Sequence, residues 1–357
     1  MMKELRLMKG NEAIAEGAIR AGADAYFGYP ITPQSEVMEY LTAQQPEKRT
    51  GMVVLQAESE LAAINMVYGA AGTGKRAMTS SSSPGISLMQ EGISYCAGAE
   101  LPCLVVNVVR GGPGLGTIQP SQADYFQAVK GGGHGDYRMP VLAPASVQEM
   151  FDFVFLAFDL AFKYRNPVMI LSDGLIGQMM EKVELREQRP RATEFDPSWT
   201  ATGKIPDRPH KIITSLDLDT SRQERHNQHL QEKYRNIEAA EVRYEELSTA
   251  DAEYLFVAYG SSARICQKAM QLARDKGIKI GLFRPVTLWP FPAVPLAKLV
   301  PQLKGILCVE QSAGQMIEDV KLAIDCRIPA EHYGRMGGMI PSPEEVLENF
   351  EKLFIRK

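Results

Sequence analysis

Through the first half of the chain, short apolar runs alternate with segments of helical spacing. Residues 10–21 set Ala13, Ile14, Gly17 and Ala18 three and four positions apart. That predicts a helix buried along one face, with Asn11 as its cap. The apolar run 25–29, closed by Pro30, predicts a short strand. At Thr32-Pro33-Gln34-Ser35-Glu36 the pattern predicts a helix start, with Thr32 as N-cap and Pro33 in the first helical position. A second strand is expected at 51–56, a helix of small residues at 59–71, and a third strand at 77–80 that runs into the polar loop 81–85. Residues 103–109 and 167–171 read as continuous apolar strands. Between them, 150–162 reads as a buried, phenylalanine-rich helix, too short and, with Asp152 and Asp159, too charged to span a bilayer. Strands without polar alternation are buried on both faces. The prediction is therefore an α/β fold, a doubly wound parallel sheet covered by helices.

The pattern changes after about Lys182. Residues 184–246 are rich in Arg, Glu, Gln, Pro and His and nearly devoid of apolar runs. They read as a long linker with an exposed charged helix around 221–246. A second strand–helix series follows: a strand at 254–259, a helix from Gly260 through Ala273, a strand at 278–283, a proline-rich turn at 289–292 and a strand at 305–310. The expected division is one domain at 1–183, a charged linker at 184–250 and a second α/β domain at 251–357. The length of 357 residues agrees, since it exceeds what one core commonly organises.

Composition narrows the function classes. Hydrophobic residues at 45% and charged residues at 23% describe a folded chain. A net charge of −4 gives no electrostatic case for nucleic acid or an anionic membrane. The five cysteines form no CxxC pair, and their number is odd. That argues against a disulfide framework and against a self-contained zinc or iron–sulfur site, and no metal ligand is assigned. With no apolar leader stretch at 1–6, a cytoplasmic protein with reduced thiols is expected.

Several segments carry candidate chemistry. Residues 69–75 approach a phosphate-binding loop, but Arg76 stands where Ser or Thr is required and a helix precedes the glycines. A helix end and turn is favoured. Gly260-Ser261-Ser262, between strand and helix, exposes amides that suit an anion, although a tight turn explains it better. Glu58 and Glu60 open the helix 59–71. Glu60 is followed by Leu61, Ala62, Ala63 and Ile64, and a carboxyl in apolar surroundings trades protons near neutrality. The plain alternative is a favourable charge at a helix start. Arg110 ends a buried strand and enters a glycine-rich loop at 111–116. Such an arginine suits a forked grip on a carboxylate or phosphate, the alternative being a pairing with a local acid. Thr32 lies on the same edge. The loop 131–136 holds His134 and Asp136, too few ligands for a metal; it touches substrate, another subunit or only solvent.

Taken together, Tyr29-Pro30-Ile31-Thr32-Pro33-Gln34-Ser35-Glu36, Ala57-Glu58-Ser59-Glu60, the serine run from Thr79 to Pro84 and Val109-Arg110-Gly111-Gly112-Pro113-Gly114 resemble one family. It is the alpha subunit of the 2-oxoacid:ferredoxin oxidoreductases, thiamine-diphosphate enzymes of anaerobes. The resemblance covers nearly the whole chain. About 8–180 is similar to the pyrimidine-binding domain. From Glu253 the chain is similar to the transketolase C-terminal-like domain, marked by Phe283-Arg284-Pro285 and Glu310-Gln311-Ser312. His134-Gly135-Asp136-Tyr137 and the compact length look most like the branched-chain type, which acts on 2-oxoisovalerate.

The resemblance implies that Glu60 hydrogen-bonds N1′ of the cofactor's aminopyrimidine and that Pro30 and Ile31 also bind the cofactor. It implies that Thr32 and Arg110 hold the substrate carboxylate. The implied reaction is oxidative decarboxylation: an ylide attacks the keto carbon, carbon dioxide leaves, two electrons pass singly to iron–sulfur clusters and coenzyme A takes the acyl group. The family's Gly-Asp-Gly segment for diphosphate and Mg²⁺ is represented only by Ser172-Asp173-Gly174, without its downstream Asn. The resemblance therefore implies a beta subunit carrying the diphosphate and Mg²⁺ site, a ferredoxin-like iron–sulfur subunit, a gamma subunit beside them, and ferredoxin as acceptor. The rival readings are a 2-oxoglutarate or aryl-pyruvate type, a nucleotide-binding module using 69–75, and a non-catalytic scaffold subunit.

Overall fold

The structure is a computed structural model that describes residues 4–356. The first three residues, on which part of the leader reading rests, and Lys357 lie outside the described residues. The strands are β1 (Glu4–Lys9), β2 (Ala25–Gly28), β3 (Val53–Gln56), β4 (Ala77–Ser81), β5 (Cys103–Val109), β6 (Val141–Leu142), β7 (Pro167–Asp173), β8 (Met180–Leu185), β9 (Tyr244–Leu247), β10 (Tyr254–Val257), β11 (Ile280–Pro285), β12 (Thr287–Trp289), β13 (Gly305–Glu310) and β14 (Ala330–Gly334). Seven form a sheet in the order β12-β6-β7-β5-β4-β2-β3, and five form another in the order β14-β13-β10-β11-β9. Both are parallel except at one edge, where β12 and β9 run antiparallel to their neighbours. β1 and β8 pair as a separate antiparallel ribbon.

The apolar runs became the central strands: every residue of β5, β7, β11 and β13 is buried. Helices cover both faces of the large sheet. Gly10–Arg20 and Val147–Tyr164 pack one side through Ile14, Ala18, Phe151 and Val154. Glu60–Gly72 and Ser83–Gly98 pack the other through Ile64, Val67, Met89 and Ile93. That second core runs on without a break into Val257, Phe283 and Ile306 of the smaller sheet. Among the described residues no helix is long and apolar enough to cross a membrane.

Several local expectations are corrected. Asn11 is not a cap. The helix begins at Gly10, and buried Asn11 donates to the Pro33 carbonyl at 2.7 Å and to Glu36 at 2.9 Å. Thr32 is not a cap either. The next helix starts at Ser35, because the chain is still turning at Pro33, whose carbonyl is held by Asn11 and Gln178. The serine run is only briefly a loop, since residues from Ser83 onward are helical. The charged helix, Thr220–Ala240, is not wholly exposed: Leu230, Tyr234 and Ile237, spaced four and three apart, are buried. The 184–250 segment is more than a linker, because β9 within it joins the smaller sheet. In the other direction β12, next to the expected proline turn, joins the larger one.

One carboxylate fastens the two sheets together. Asp173 ends β7 and caps the following turn of helix, with Oδ1 accepting from the Leu175 and Ile176 amides at 3.1 Å. Its Oδ2 accepts from the Ser261 amide at 3.0 Å, the Ser261 hydroxyl at 2.7 Å and Gln122 at 3.4 Å. The anion that the Gly260-Ser261 turn attracts is thus supplied by the chain itself. Gly260 sits at φ +54°, and a Cβ there would lie 2.9 Å from Asp173 Oδ2. Burial pushes the Asp173 carboxyl up, and the Ser261 and backbone donors act against that rise. Buried Arg284 adds a second tie, donating to Glu149 at 2.6 and 2.8 Å and to Glu245 at 2.9 Å.

Asp173→Ala strands several buried donors, so it is expected to destabilise the chain by about 3 kcal/mol. Asp173→Asn should recover little of that, because an amide group facing Ser261 brings donors to donors. The shift in denaturation midpoint checks both.

Candidate active site

The carboxyl ends of β2, β4 and β5 lie side by side, with β3 on the outer flank of β2. The strand order reverses direction between β2 and β4, and such a switch point opens a crevice for ligands. Four of the segments singled out in the sequence meet here. The 29–34 turn follows β2, Glu60 follows β3, the serine run follows β4 and Arg110 follows β5.

The turn after β2 is held from below. Buried Tyr26 meets Ser80 at 2.8 Å, and Ser80 donates to Gln34 at 2.6 Å, which leaves Tyr26 as the donor. Burial pushes the Tyr26 phenol up to about 12, so it stays protonated in this role. Gln34 donates back to the Tyr29 carbonyl at 3.2 Å. Gly28 has no room for a side chain: a Cβ would lie 2.3 Å from the Tyr26 hydroxyl. With its base fixed in this way, the turn presents Pro30 and Thr32 to solvent and leaves Ile31 half-buried.

Glu60 is the first residue of its helix and is buried, while Glu58 is exposed. Ser59 caps the helix by accepting from the Ala62 amide at 3.2 Å. Ser81, at the end of β4, donates to Glu60 Oε1 at 3.5 Å. Gly85 permits this approach: a Cβ there would lie 2.4 Å from Glu60 Oε1 and 2.0 Å from the Ser81 hydroxyl.

Arg110 is 6% exposed. Its guanidinium donates to the carbonyls of Thr32 at 2.9 Å and Leu115 at 3.2 Å, and its buried Nε has no partner. The alternative of a local acid partner fails, since Arg110 forms no ion pair among the described residues. A buried cation satisfied only by carbonyls is poised for an anion. Ser83 joins Arg110 to the serine run, its hydroxyl accepting from the Arg110 amide at 3.1 Å. Glu60, Thr32 and Arg110, far apart in the chain, are therefore linked through Ser81, Gly85 and Ser83.

Sequence reasoning missed two polar residues at this edge. Asn107 lies inside the apolar strand β5, and its side chain accepts from the Ser83 amide at 3.2 Å and donates to Asp124 at 2.9 Å. A lone Asn in a Val-rich run was the available signal; nothing in the sequence marked Asp124. Burial pushes the Asp124 carboxyl up, and Asn107 opposes the rise.

Other segments lie elsewhere. Lys75 faces Asp24 and the ring of Phe195, at the end of the Glu60–Gly72 helix and away from any strand-to-helix cradle. The His134 and Asp136 carbonyls are held by Ser94 and Gln231, which places that loop against the Thr220–Ala240 helix. Cys96, Cys103, Cys266 and Cys308 are buried free thiols, and Cys326 is exposed.

Comparison with known proteins bears on the family and the fold. Residues 16–248 match the family model described as the thiamine-diphosphate-binding region of pyruvate flavodoxin/ferredoxin oxidoreductase. Residues 252–346 match core domain II of pyruvate:ferredoxin oxidoreductase. The ketoisovalerate oxidoreductase subunit VorB of Methanothermobacter thermautotrophicus is 50% identical over 98% of this chain and 97% of its own. The 2-oxoglutarate synthase subunit KorA of the same organism is 36% identical over 99% of this chain and 100% of its own. The solved 2-oxoglutarate:ferredoxin oxidoreductase of Magnetococcus marinus, with 2-oxoglutarate, coenzyme A and succinyl-CoA bound, superposes with a TM-score of 0.86 at 27% identity. It covers 98% of this chain and 65% of that one. A split-gene transketolase shares the fold at a TM-score of 0.60 and 13% identity, over 97% of each chain. A thiamine-diphosphate-binding sheet, a second domain of the matching type and full-length relatives all lead to one conclusion: this chain belongs to the 2-oxoacid:ferredoxin oxidoreductases, as a subunit of such an enzyme.

Proposed function

We propose that the chain is the alpha-type subunit of a complex that converts a branched-chain 2-oxoacid, 2-oxoisovalerate, to its acyl-CoA and carbon dioxide while reducing ferredoxin. The observation that carries this reading is the unpaired, buried guanidinium of Arg110, set beside Thr32 at the strand ends and linked through the serine run to buried Glu60.

The residues fit the pyrimidine end of thiamine diphosphate. Glu60 is a buried carboxyl free of any cation in the described residues, with Pro30 and Ile31 on the neighbouring turn. When bound, the cofactor supplies the carbon centre that adds to the keto group and takes up the electron pair released with carbon dioxide. Glu60 holds or returns a proton at its carboxyl oxygen, and the Ser81 hydroxyl fixes where that oxygen sits. The forked guanidinium of Arg110, assisted by Thr32, orients the substrate carboxylate. That group leaves as carbon dioxide, so the contact serves best by orienting it without over-stabilising the ground state.

The diphosphate end does not fit this chain. Asp173, in the Ser172-Asp173-Gly174 segment that is all this chain offers in place of the family's Gly-Asp-Gly, is engaged in fastening the domains. Diphosphate, Mg²⁺ and iron–sulfur clusters are accordingly assigned to partners: a beta subunit, a ferredoxin-like subunit and a gamma subunit, with ferredoxin as final acceptor and the cytoplasm as location. The branched-chain substrate is favoured by the relatives at 50 and 51% identity, which carry the ketoisovalerate name. It is favoured also by the cavity beside Arg110, which has no lysine or arginine for a second carboxylate.

Three variants of the co-purified complex, assayed with a 2-oxoacid panel, viologen dye and coenzyme A, test the reading. Glu60→Gln should cut turnover about 100-fold or more while the complex still assembles; wild-type turnover would refute the acid role. Arg110→Ala should lower kcat/KM for the 2-oxoacid about 10- to 100-fold, with both a higher KM and a lower kcat. An unchanged KM would count against carboxylate binding. Gly85→Ala should displace Glu60 and reduce both kcat and melting temperature, a destabilisation of about 1–3 kcal/mol.

A further inference from the structure

β5 reads Cys-Leu-Val-Val-Asn-Val-Val, and its one amide side chain, Asn107, is 1% exposed. A polar group buried in an apolar strand is costly unless its donors and acceptors are met. Here they are met in one sense only. The Ser83 amide can only donate, so the Asn107 atom facing it at 3.2 Å is the oxygen. The Asn107 nitrogen is then turned to Asp124, which accepts from it at 2.9 Å. Asp124, in the loop after β5, thereby fixes which way round the amide stands.

The bond to Ser83 does the work of a helix cap. Ser83 opens the Ser83–Gly98 helix, and the first-turn amides of a helix have no partner within it. Ser82 precedes it and is a good cap by residue type, yet its side chain makes no capping bond and its hydroxyl is buried without a partner. Asn107, from the neighbouring strand, supplies the acceptor instead. With its amide held there, Ser83 turns its hydroxyl to residue 110. That oxygen accepts from the Arg110 amide at 3.1 Å and donates to the Arg110 carbonyl at 3.2 Å. One side chain thus clasps Arg110 at both backbone ends. The Arg110 guanidinium has no carboxylate to hold it, only the carbonyls of Thr32 and Leu115, so its place depends on where that clasp sets its backbone.

We propose that Asn107, oriented by Asp124, is a positioning residue for the 2-oxoacid: acting through Ser83, it sets the place of the Arg110 guanidinium. Asn107 itself touches no substrate. The inference rests on the proposed function above, which gives Arg110 the substrate carboxylate. A grip displaced by about 1 Å costs as much as about 100-fold in rate, so a clasp one residue removed from the ligand is enough to matter.

The test uses the assembled complex. Asn107→Leu is close in volume and removes both side-chain bonds. It should raise the KM for the 2-oxoacid about fivefold and lower kcat/KM about tenfold, while the KM for coenzyme A moves no more than about twofold. In an Arg110→Ala background the same substitution should change the 2-oxoacid KM no more than about twofold, because the group it positions is gone. An asparagine that only caps a helix would lower the melting temperature in both backgrounds and leave the 2-oxoacid KM unmoved in both. One that supports the site at large would raise that KM equally in both, or raise both KM values together. Each of these outcomes would overturn the proposal. Ser83→Ala removes the clasp and keeps a residue suited to a first helical turn, so it should give the expected pattern if Asn107→Leu does not fold. An Arg110→Ala complex whose 2-oxoacid KM is that of the wild type would instead overturn the carboxylate grip on which the inference rests.

Discussion

The Asp173 carboxylate sets the geometry on which the remainder depends. It ends a central strand of one sheet and receives the first helix of the other. Burying a carboxylate is costly, and here the cost is offset by donors from both domains rather than by a cation. The same network continues outward. Gln122 accepts from the Ser262 hydroxyl and from the Gln311 amide, so the end of β13 is brought against the loop after β5. The cavity beside Arg110 exists because these two edges are held at this separation. A local bond pattern thus fixes a functional surface built from segments nearly 200 residues apart in the chain.

Arg110 shows the complementary principle. A structural arginine at 6% exposure normally meets a carboxylate, as Arg284 does with Glu149 and Glu245. Arg110 is satisfied only by two carbonyls and retains an unpartnered nitrogen. On the proposed function, its positive charge is kept for the substrate carboxylate. On that reading the chain offers an acid and an anion grip while Asp173 fastens the two sheets, which is the chemistry of half an active site.

Much of the fold was legible because it follows from burial. Strands hidden on both faces must be continuously apolar, and β5, β7 and β13 were read almost to the residue. Elements with mixed environments were not. The edge strands β9 and β12 are short and carry no periodic signal, and their exchange between sheets is decided by tertiary contacts. The Thr220–Ala240 helix buries only a narrow stripe, which its many charges concealed. The segments around Thr32, Glu60 and Arg110 were recognisable as motifs, and their convergence follows from parallel strands ending on one edge. Their connection through Ser81, Ser83 and Gly85 was not legible, because small residues act there by permitting close approach. Asn11 and Thr32 were misread as caps because their residue types are good caps; side-chain donation to a distant turn in one case, and a turn running on past Pro33 in the other, took precedence.

On the proposed function this chain carries the pyrimidine-side acid and the carboxylate grip, and a partner chain completes the cofactor site. Calorimetric titration of thiamine diphosphate with Mg²⁺ into the full chain alone, and into the complex with its partners, tests it most directly. Saturable binding is expected for the complex and none for the chain alone at the same concentrations. Binding of equal affinity by the isolated chain would contradict it.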